Sequence, residues 1–142
     1  MKLPYSKIVN DEEETNNLAI EFAEQVSAGK IIVLNGNLGS GKTYFIKKVL
    51  GEFQIDYVSS PSFAIVNEYE GNIKAYHFDF FRLKNMKELI DIGWQDYLND
   101  MESVIFIEWG ELLVEALPKF RIAISITILN DTKRKFDIKL NE

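Results

Sequence analysis

Residues 31–50 read IIVLNGNLGSGKTYFIKKVL: an apolar run, a glycine-rich turn and an amphipathic run in series. Ile31, Ile32, Val33 and Leu34 form a short, mostly β-branched run suited to a buried parallel strand. Beyond the turn, Phe45, Ile46, Val49 and Leu50 recur at helical spacing while Lys47 and Lys48 turn outward. Between the two runs, Gly36, Gly41, Lys42 and Thr43 keep the G-x4-G-K-[ST] spacing. In that pattern a loop after a strand wraps its backbone N–H groups around phosphate oxygens before a helix begins.

The chemistry needs these residue types. Gly36, Gly39 and Gly41 let the backbone approach phosphate oxygens where a side chain would intrude, and glycines so closely spaced would only weaken an ordinary strand or helix. Lys42 reaches the outer phosphates as a point charge, and the Thr43 hydroxyl holds a magnesium ion that bridges them. The candidate nucleotide-binding residues are thus Asn37, Leu38, Gly39, Ser40, Gly41, Lys42, Thr43 and Tyr44, with ATP and Mg2+ as the expected ligands. The strand, loop and helix unit predicts an α/β chain with a three-layer P-loop NTPase-like fold. Its central sheet is expected to be mainly parallel with antiparallel strands, and helices should cover both faces.

With 142 residues, 46% of them hydrophobic, the chain can bury one sizeable core and has no room for a second domain of ordinary size. A single domain over residues 1–142 is expected, with little left over for a substrate lid. The formal net charge of −6, from 16 basic and 22 acidic residues, argues against direct gripping of a nucleic-acid backbone. The absence of cysteine removes disulfides, thiolate catalysis and cysteine-held metals. The N-terminal stretch MKLPYSKIVNDEEET lacks the apolar core of a secretory signal, and no run approaches the ~20 apolar residues of a membrane span. The expectation is a cytoplasmic protein with no membrane association.

Leu3, Tyr5, Ile8 and Val9 suffice for a short edge strand. Asn10 or Asp11 then opens a helix whose first turn carries Glu12, Glu13 and Glu14, and whose buried stripe of Leu18, Phe22 and Val26 ends near Gly29. After the phosphate loop and its helix, Ser59, Ser60 and Pro61 read as a loop ahead of a strand. A two-residue turn at Gly71-Asn72 leads to a second strand. A helical pattern from Asn85, broken near Gly93, precedes the buried-strand run Val104, Ile105, Phe106 and Ile107. The tail gives a short helix around Glu111 to Ala116 and two strands joined by a turn at Asn130-Asp131.

A phosphate loop with magnesium needs a carboxylate delivered from the end of a neighbouring strand. Glu108 follows the run of four apolar residues, and Asp79 lies among aromatics in YHFDFFRL. Each has a structural alternative: a salt bridge to Arg82 for Asp79, a helix cap or lysine pair for Glu108. His77, the one histidine, reads as a buried structural residue without a catalytic role. Trp109, next to a strand-end acid, is either core or a cover for base or phosphates.

The ordered blocks GNLGSGKT, SPSFAIVNEY, HFDFFRL, ELIDIGWQDYL and IEWGELL resemble the bacterial TsaE family, formerly YjeE, from about the first helix to the last strands. The resemblance implies a small P-loop ATPase that supports synthesis of threonylcarbamoyladenosine next to the anticodon of tRNA. It implies TsaB and TsaD as partners and tRNA contact only indirectly through the complex, and it leaves self-association open. Threonylcarbamoyl transfer would belong to TsaD, and this chain would reset the assembly by ATP hydrolysis. By position, Lys42 and Thr43 match the family's phosphate and magnesium residues, Asp79 the acid of its H-x-D-x-Y-R block, and Glu108 and Trp109 its E-W pair. Ser62 stands where the family commonly has threonine and keeps the hydroxyl of a sensor. Phe81 replaces the usual tyrosine, and Gly110 the common proline.

On this reading Asp79 or Glu108 orients water and metal, and Ser62 and Trp109 are candidates for sensing or coupling. The rivals are a small-molecule or nucleotide kinase and a non-catalytic ATP-dependent binding module. The kinase lacks support from any arginine cluster between residues 84 and 120. No N-K-x-D block speaks for GTP.

Overall fold

The computed structural model describes residues 1–61 and 64–141, so the candidate sensor Ser62 lies outside the described residues. Seven strands form one sheet: Tyr5–Val9 (β1), Ile31–Asn35 (β2), Val66–Glu70 (β3), Lys74–Asp79 (β4), Ser103–Glu108 (β5), Arg121–Ile128 (β6) and Arg134–Asn141 (β7). Their order is β1-β7-β6-β2-β5-β4-β3. The middle four, β6, β2, β5 and β4, run parallel, and antiparallel strands flank them on both sides. This is the parallel-centred α/β sheet expected from the sequence.

Helices cover both faces, and the strands alternate accordingly. All six residues of β5 are buried, because even and odd positions meet different apolar layers. Val104 and Phe106 join Leu34, Phe45, Ile46 and Leu50 under the helices Glu12–Phe22 (α1) and Lys42–Gly51 (α2). Ile105 and Ile107 join Phe78, Leu89 and Trp94 under Met86–Asp91 (α3) and Trp94–Asn99 (α4). Phe45 anchors the first layer, its ring centroid 5.6 Å from Phe22 and 5.0 Å from Phe136.

Local signals explain most boundaries. Asp11 is the cap of α1, its Oδ1 accepting from the Glu14 backbone N–H at 2.9 Å, while Glu14 reaches back to the Asn10 amide. Gly93 separates α3 from α4. Three details differ from the sequence reading. The β3–β4 connection is three residues, 71–73, rather than two, because Glu70 pairs with Lys74. There the Asn72 N–H donates to the Phe53 carbonyl at 2.7 Å, so the turn is shaped by a neighbouring segment and not by the hairpin alone. The segment expected as a short helix is a 3-10 turn, Gly110–Ala116, interrupted at Leu113 by non-helical backbone. The last hairpin closes through residues 129–133, where Asn130 Oδ1 accepts from the N–H groups of Thr132 and Lys133.

Phe45 is fully buried between two other rings. Phe45→Ala is expected to lower the unfolding free energy by about 3–5 kcal/mol. Denaturant titration checks it, and a loss below ~1 kcal/mol would remove this ring from the cooperative core.

Candidate functional site

Register decides which side chains meet. Asp79 pairs with Glu108 across β4 and β5, and Glu108 pairs with Leu34 across β5 and β2. Three parallel strands therefore end level, and the loop that follows β2 begins beside both acids. Side chains alternate with period two, so His77 and Asp79 share a face of β4, and Phe106 and Glu108 share a face of β5. That is the face covered by α1 and α2. Thr43, in the first turn of α2, is thereby brought to Glu108, and its Oγ1 donates to Glu108 Oε2 at 2.8 Å.

The loop between them has the form that an anion requires. Gly39 and Gly41 adopt φ of +81° and +104°, a region side chains rarely adopt, and the space a Cβ would occupy at either is open. At Gly36 the constraint is room: a Cβ there would lie 2.9 Å from the Ile126 carbonyl oxygen. Arg134, from β7, clamps the loop from outside by donating to the carbonyls of Ser40 and Gly39. Ser40 Oγ is buried without a hydrogen-bond partner among the described residues.

Lys42 is buried, and its ammonium donates to the Gly36 carbonyl and lies 3.4 Å from the centroid of the Trp109 ring. Burial pushes its pKa down, against the pull of Glu108, Glu111 and Asp79. Trp109 takes a left-handed backbone, φ 61°, at the turn out of β5, the kind of strained position found at functional sites. Its ring also meets Phe81 at 5.3 Å, a contact that needs an aromatic face and no hydroxyl. The substitution of phenylalanine for tyrosine thus keeps the packing.

Asp79 caps the next turn, accepting from the Phe81 N–H at 3.0 Å, and pairs with Arg82 at 3.6 Å. Burial raises its pKa most, with the Glu108 charge acting in the same direction and the Phe81 and Arg82 contacts opposing it. The structural alternative for Asp79, the Arg82 pair, is therefore present together with its position in the site. Among the described residues the hydrogen-bond partners of Glu108 are Thr43 and His77, neither a helix cap nor a lysine. A cavity of about 480 Å³ gathers Leu38 to Tyr44, Asp79, Glu108 and Trp109 with Ser60, Phe81 and Arg82. A second, of about 400 Å³, opens on the other side of the loop between Tyr44, Glu12, Thr132 and Arg134. Asn37 alone of the candidate loop residues lines neither cavity; its carbonyl accepts the Ser40 N–H and holds the turn.

The donor set suits a magnesium ion held together with phosphate. Thr43 gives its only proton to Glu108, which leaves the lone pairs of Oγ1 for a cation. Among the described residues no group of three His, Cys, Asp or Glu side chains could hold a metal by itself.

The sequence reading missed two contributors. Arg134 is distant in the chain and carries no motif. The sequence marks His77 as structural, and it is fully buried, yet its Nε2 lies 2.5 Å from Glu108 Oε2. Its spacing of two from Asp79 in a strand was the available signal.

Comparison with known proteins agrees with the fold. The model of the family described as threonylcarbamoyl adenosine biosynthesis protein TsaE matches residues 9–136. A tRNA threonylcarbamoyladenosine biosynthesis protein TsaE from Rickettsia felis is 34% identical over 94% of this chain and 79% of its own. Its namesake from Bacillus subtilis is 36% identical over 87% of this chain and 77% of its own. The crystal structure of YdiB from Bacillus subtilis superposes with a TM-score of 0.79 at 27% identity, covering 100% of this chain and 88% of that one.

Because Asp79 has a raised folded-state pKa, the native state binds this proton more tightly than the unfolded chain, and stability falls as pH rises through that range. Asp79→Asn, which keeps an acceptor for the Phe81 N–H, is expected to unfold at a higher temperature than the native protein at pH 7. The gap should close below about pH 4, where the unfolded carboxylate is also protonated. Thermal melts across pH check this; a gap of opposite sign at pH 7 would mean that the Arg82 pair outweighs burial.

Proposed function

The chain belongs to the TsaE family, and from that premise we propose that it is the ATP-binding and ATP-hydrolysing component of tRNA threonylcarbamoyladenosine biosynthesis, acting with TsaB and TsaD. The observation that carries the reading is the Thr43 to Glu108 hydrogen bond. It joins the magnesium hydroxyl of a phosphate loop to a strand-end carboxylate.

The roles follow from position. Backbone N–H groups of Gly39 to Thr43 meet the phosphates, in a loop whose left-handed glycines leave the approach open. Lys42 exchanges the Gly36 carbonyl and the Trp109 ring for the outer phosphates, a substitution favoured because a buried ammonium gains more from a full negative charge. Thr43 and Glu108 would hold Mg2+, and the ion when bound neutralises charge on the outer phosphates. Asp79, level with Glu108, orients the attacking water from the second strand end. The cavity beside Tyr44 and Arg134 gives the nucleoside room on the opposite side of the loop. The acidic chain leaves tRNA to its partners, which fits a net charge of −6. No described helix is long and apolar enough to cross a membrane, and a cytoplasmic location is part of the proposal.

The test is phosphate release from ATP by this chain alone and with TsaB and TsaD. Slow release that the partners accelerate supports the proposal. A phosphorylated acceptor would establish a kinase, and ATP binding without release in the presence of both partners would establish a binding module.

Lys42→Ala is expected to weaken ATP binding about ten- to hundred-fold, the range for hydrogen bonds to charged groups. Glu108→Gln and Asp79→Asn should bind ATP and release phosphate poorly. Titration of nucleotide binding alongside phosphate assays checks all three, and normal hydrolysis by the three variants would reject this assignment. Trp109→Ala divides two roles: lost partner stimulation with unchanged affinity places Trp109 in coupling, whereas a parallel loss of affinity places it in the nucleotide pocket.

A further inference from the structure

His77 is wholly buried on β4, yet one of its two ring nitrogens is spent on a charged group and the other on nothing. Nε2 stands 2.5 Å from Glu108 Oε2, while Nδ1 is buried with no hydrogen-bond partner among the described residues. A histidine kept only for packing would be an expensive choice here, because an unpaired buried nitrogen costs free energy that an apolar side chain avoids. The contact to Glu108 is what its polarity contributes.

We propose that His77 is a positioning residue for Glu108: through Nε2–H it fixes the carboxylate so that Thr43 and the metal it would serve stay in register. This rests on the magnesium-dependent reading of the site. An ionised carboxylate only accepts, so Nε2 carries the proton and donates. Oε2 then accepts twice, from His77 on the β4 side and from Thr43 Oγ1 on the α2 side, and the carboxylate is held from two directions. Among the described residues Oε1 has no protein partner, which leaves it for metal-bound water. Without His77, Thr43 alone would hold the carboxylate, and rotation about its last side-chain bond would carry the Thr43 proton with it. Partners of this kind orient a ligand without touching the metal, and their loss typically costs 10- to 100-fold in metal affinity or activity.

Two substitutions of similar polarity separate positioning from packing. A glutamine amide nitrogen reaches about as far from the backbone as Nε2, and an asparagine amide reaches only as far as Nδ1. His77→Gln should therefore keep the contact that His77→Asn loses, while thermal melts establish that both are folded. The first readout is ATP affinity with Mg2+ and with EDTA. In His77→Asn the gain in affinity from Mg2+ is expected to fall by roughly 10- to 100-fold, with the EDTA value unchanged and His77→Gln close to the native protein. The second readout is a double-mutant cycle: on a Glu108→Gln background, His77→Asn should cost nothing further in Mg2+-dependent affinity. Equal Mg2+ dependence in the two His77 variants, or costs that multiply in the cycle, would overturn the proposal. The outcome is separate from that of the ATPase reading. If the native chain binds ATP with Mg2+ but never releases phosphate, the hydrolytic function fails, and the binding cycle still decides the role of His77.

Discussion

The structure depends on two adjacent parallel strands ending level beneath a helix N-terminus. Thr43 and Glu108 are 65 residues apart in the chain, and one hydrogen bond joins them because β2 and β5 are neighbours in the sheet. A shift of a single residue between β2 and β5 would turn Glu108 to the opposite face, away from α2 and toward the layer of Trp94 and Leu89. Close packing on both faces of β5 opposes that shift, since each layer is filled by side chains of a fixed size. Moving Glu108 inward on the wrong side would also turn Val104 and Phe106 out of the layer they share with Phe45. The placement of the polar site is thus enforced by the packing of apolar residues that never touch a ligand.

The same packing makes the site costly to keep. Lys42, His77, Asp79 and Glu108 are all buried at one end of the sheet, at 5%, 0%, 6% and 4% exposure. Charged and polar groups withdrawn from water need close partners. Each has at least one: the Gly36 carbonyl and the Trp109 face, the Glu108 carboxylate, the Phe81 N–H and Arg82, the Thr43 hydroxyl. The partners are incomplete, however. Burial still drives the Lys42 and Asp79 pKa values in opposite directions, each toward its neutral form. A bound polyphosphate and cation would answer both imbalances at once, the negative charge meeting Lys42 and the positive charge meeting the acids. This unmet charge of both signs is the electrostatic support for the proposed ATP and Mg2+.

Two aromatic residues connect this end of the sheet to the surface. Trp109 leaves β5 in a left-handed turn and lies under the Lys42 ammonium, while Phe81, 65% exposed, packs on its outer side. Arg82, beside Phe81, donates to the Pro61 carbonyl at 2.6 Å and so ties the loop before β3 to the segment that carries Asp79. Lys42 meets the Trp109 ring and Trp109 meets Phe81, so a continuous chain of contacts runs from the phosphate loop to the exposed surface.

Much of this was legible in the chain itself, because it depends on short-range patterns. The glycine spacing, the β-branched run before it and the amphipathic run after it specify a strand, an anion loop and a helix through φ preference and periodicity alone. Glu108 was marked by the four apolar residues before it, and Asp79 by its aromatic neighbours. What folding alone decided is pairing. That β5 lies next to β2, that Asp79 and Glu108 stand level, and that Arg134 clamps the loop all follow from strand order, which local propensity does not encode. The role of His77 belongs to the same class: its identity was visible, but its meaning arises only where β4 and β5 align in register and bring an imidazole nitrogen within reach of a carboxylate.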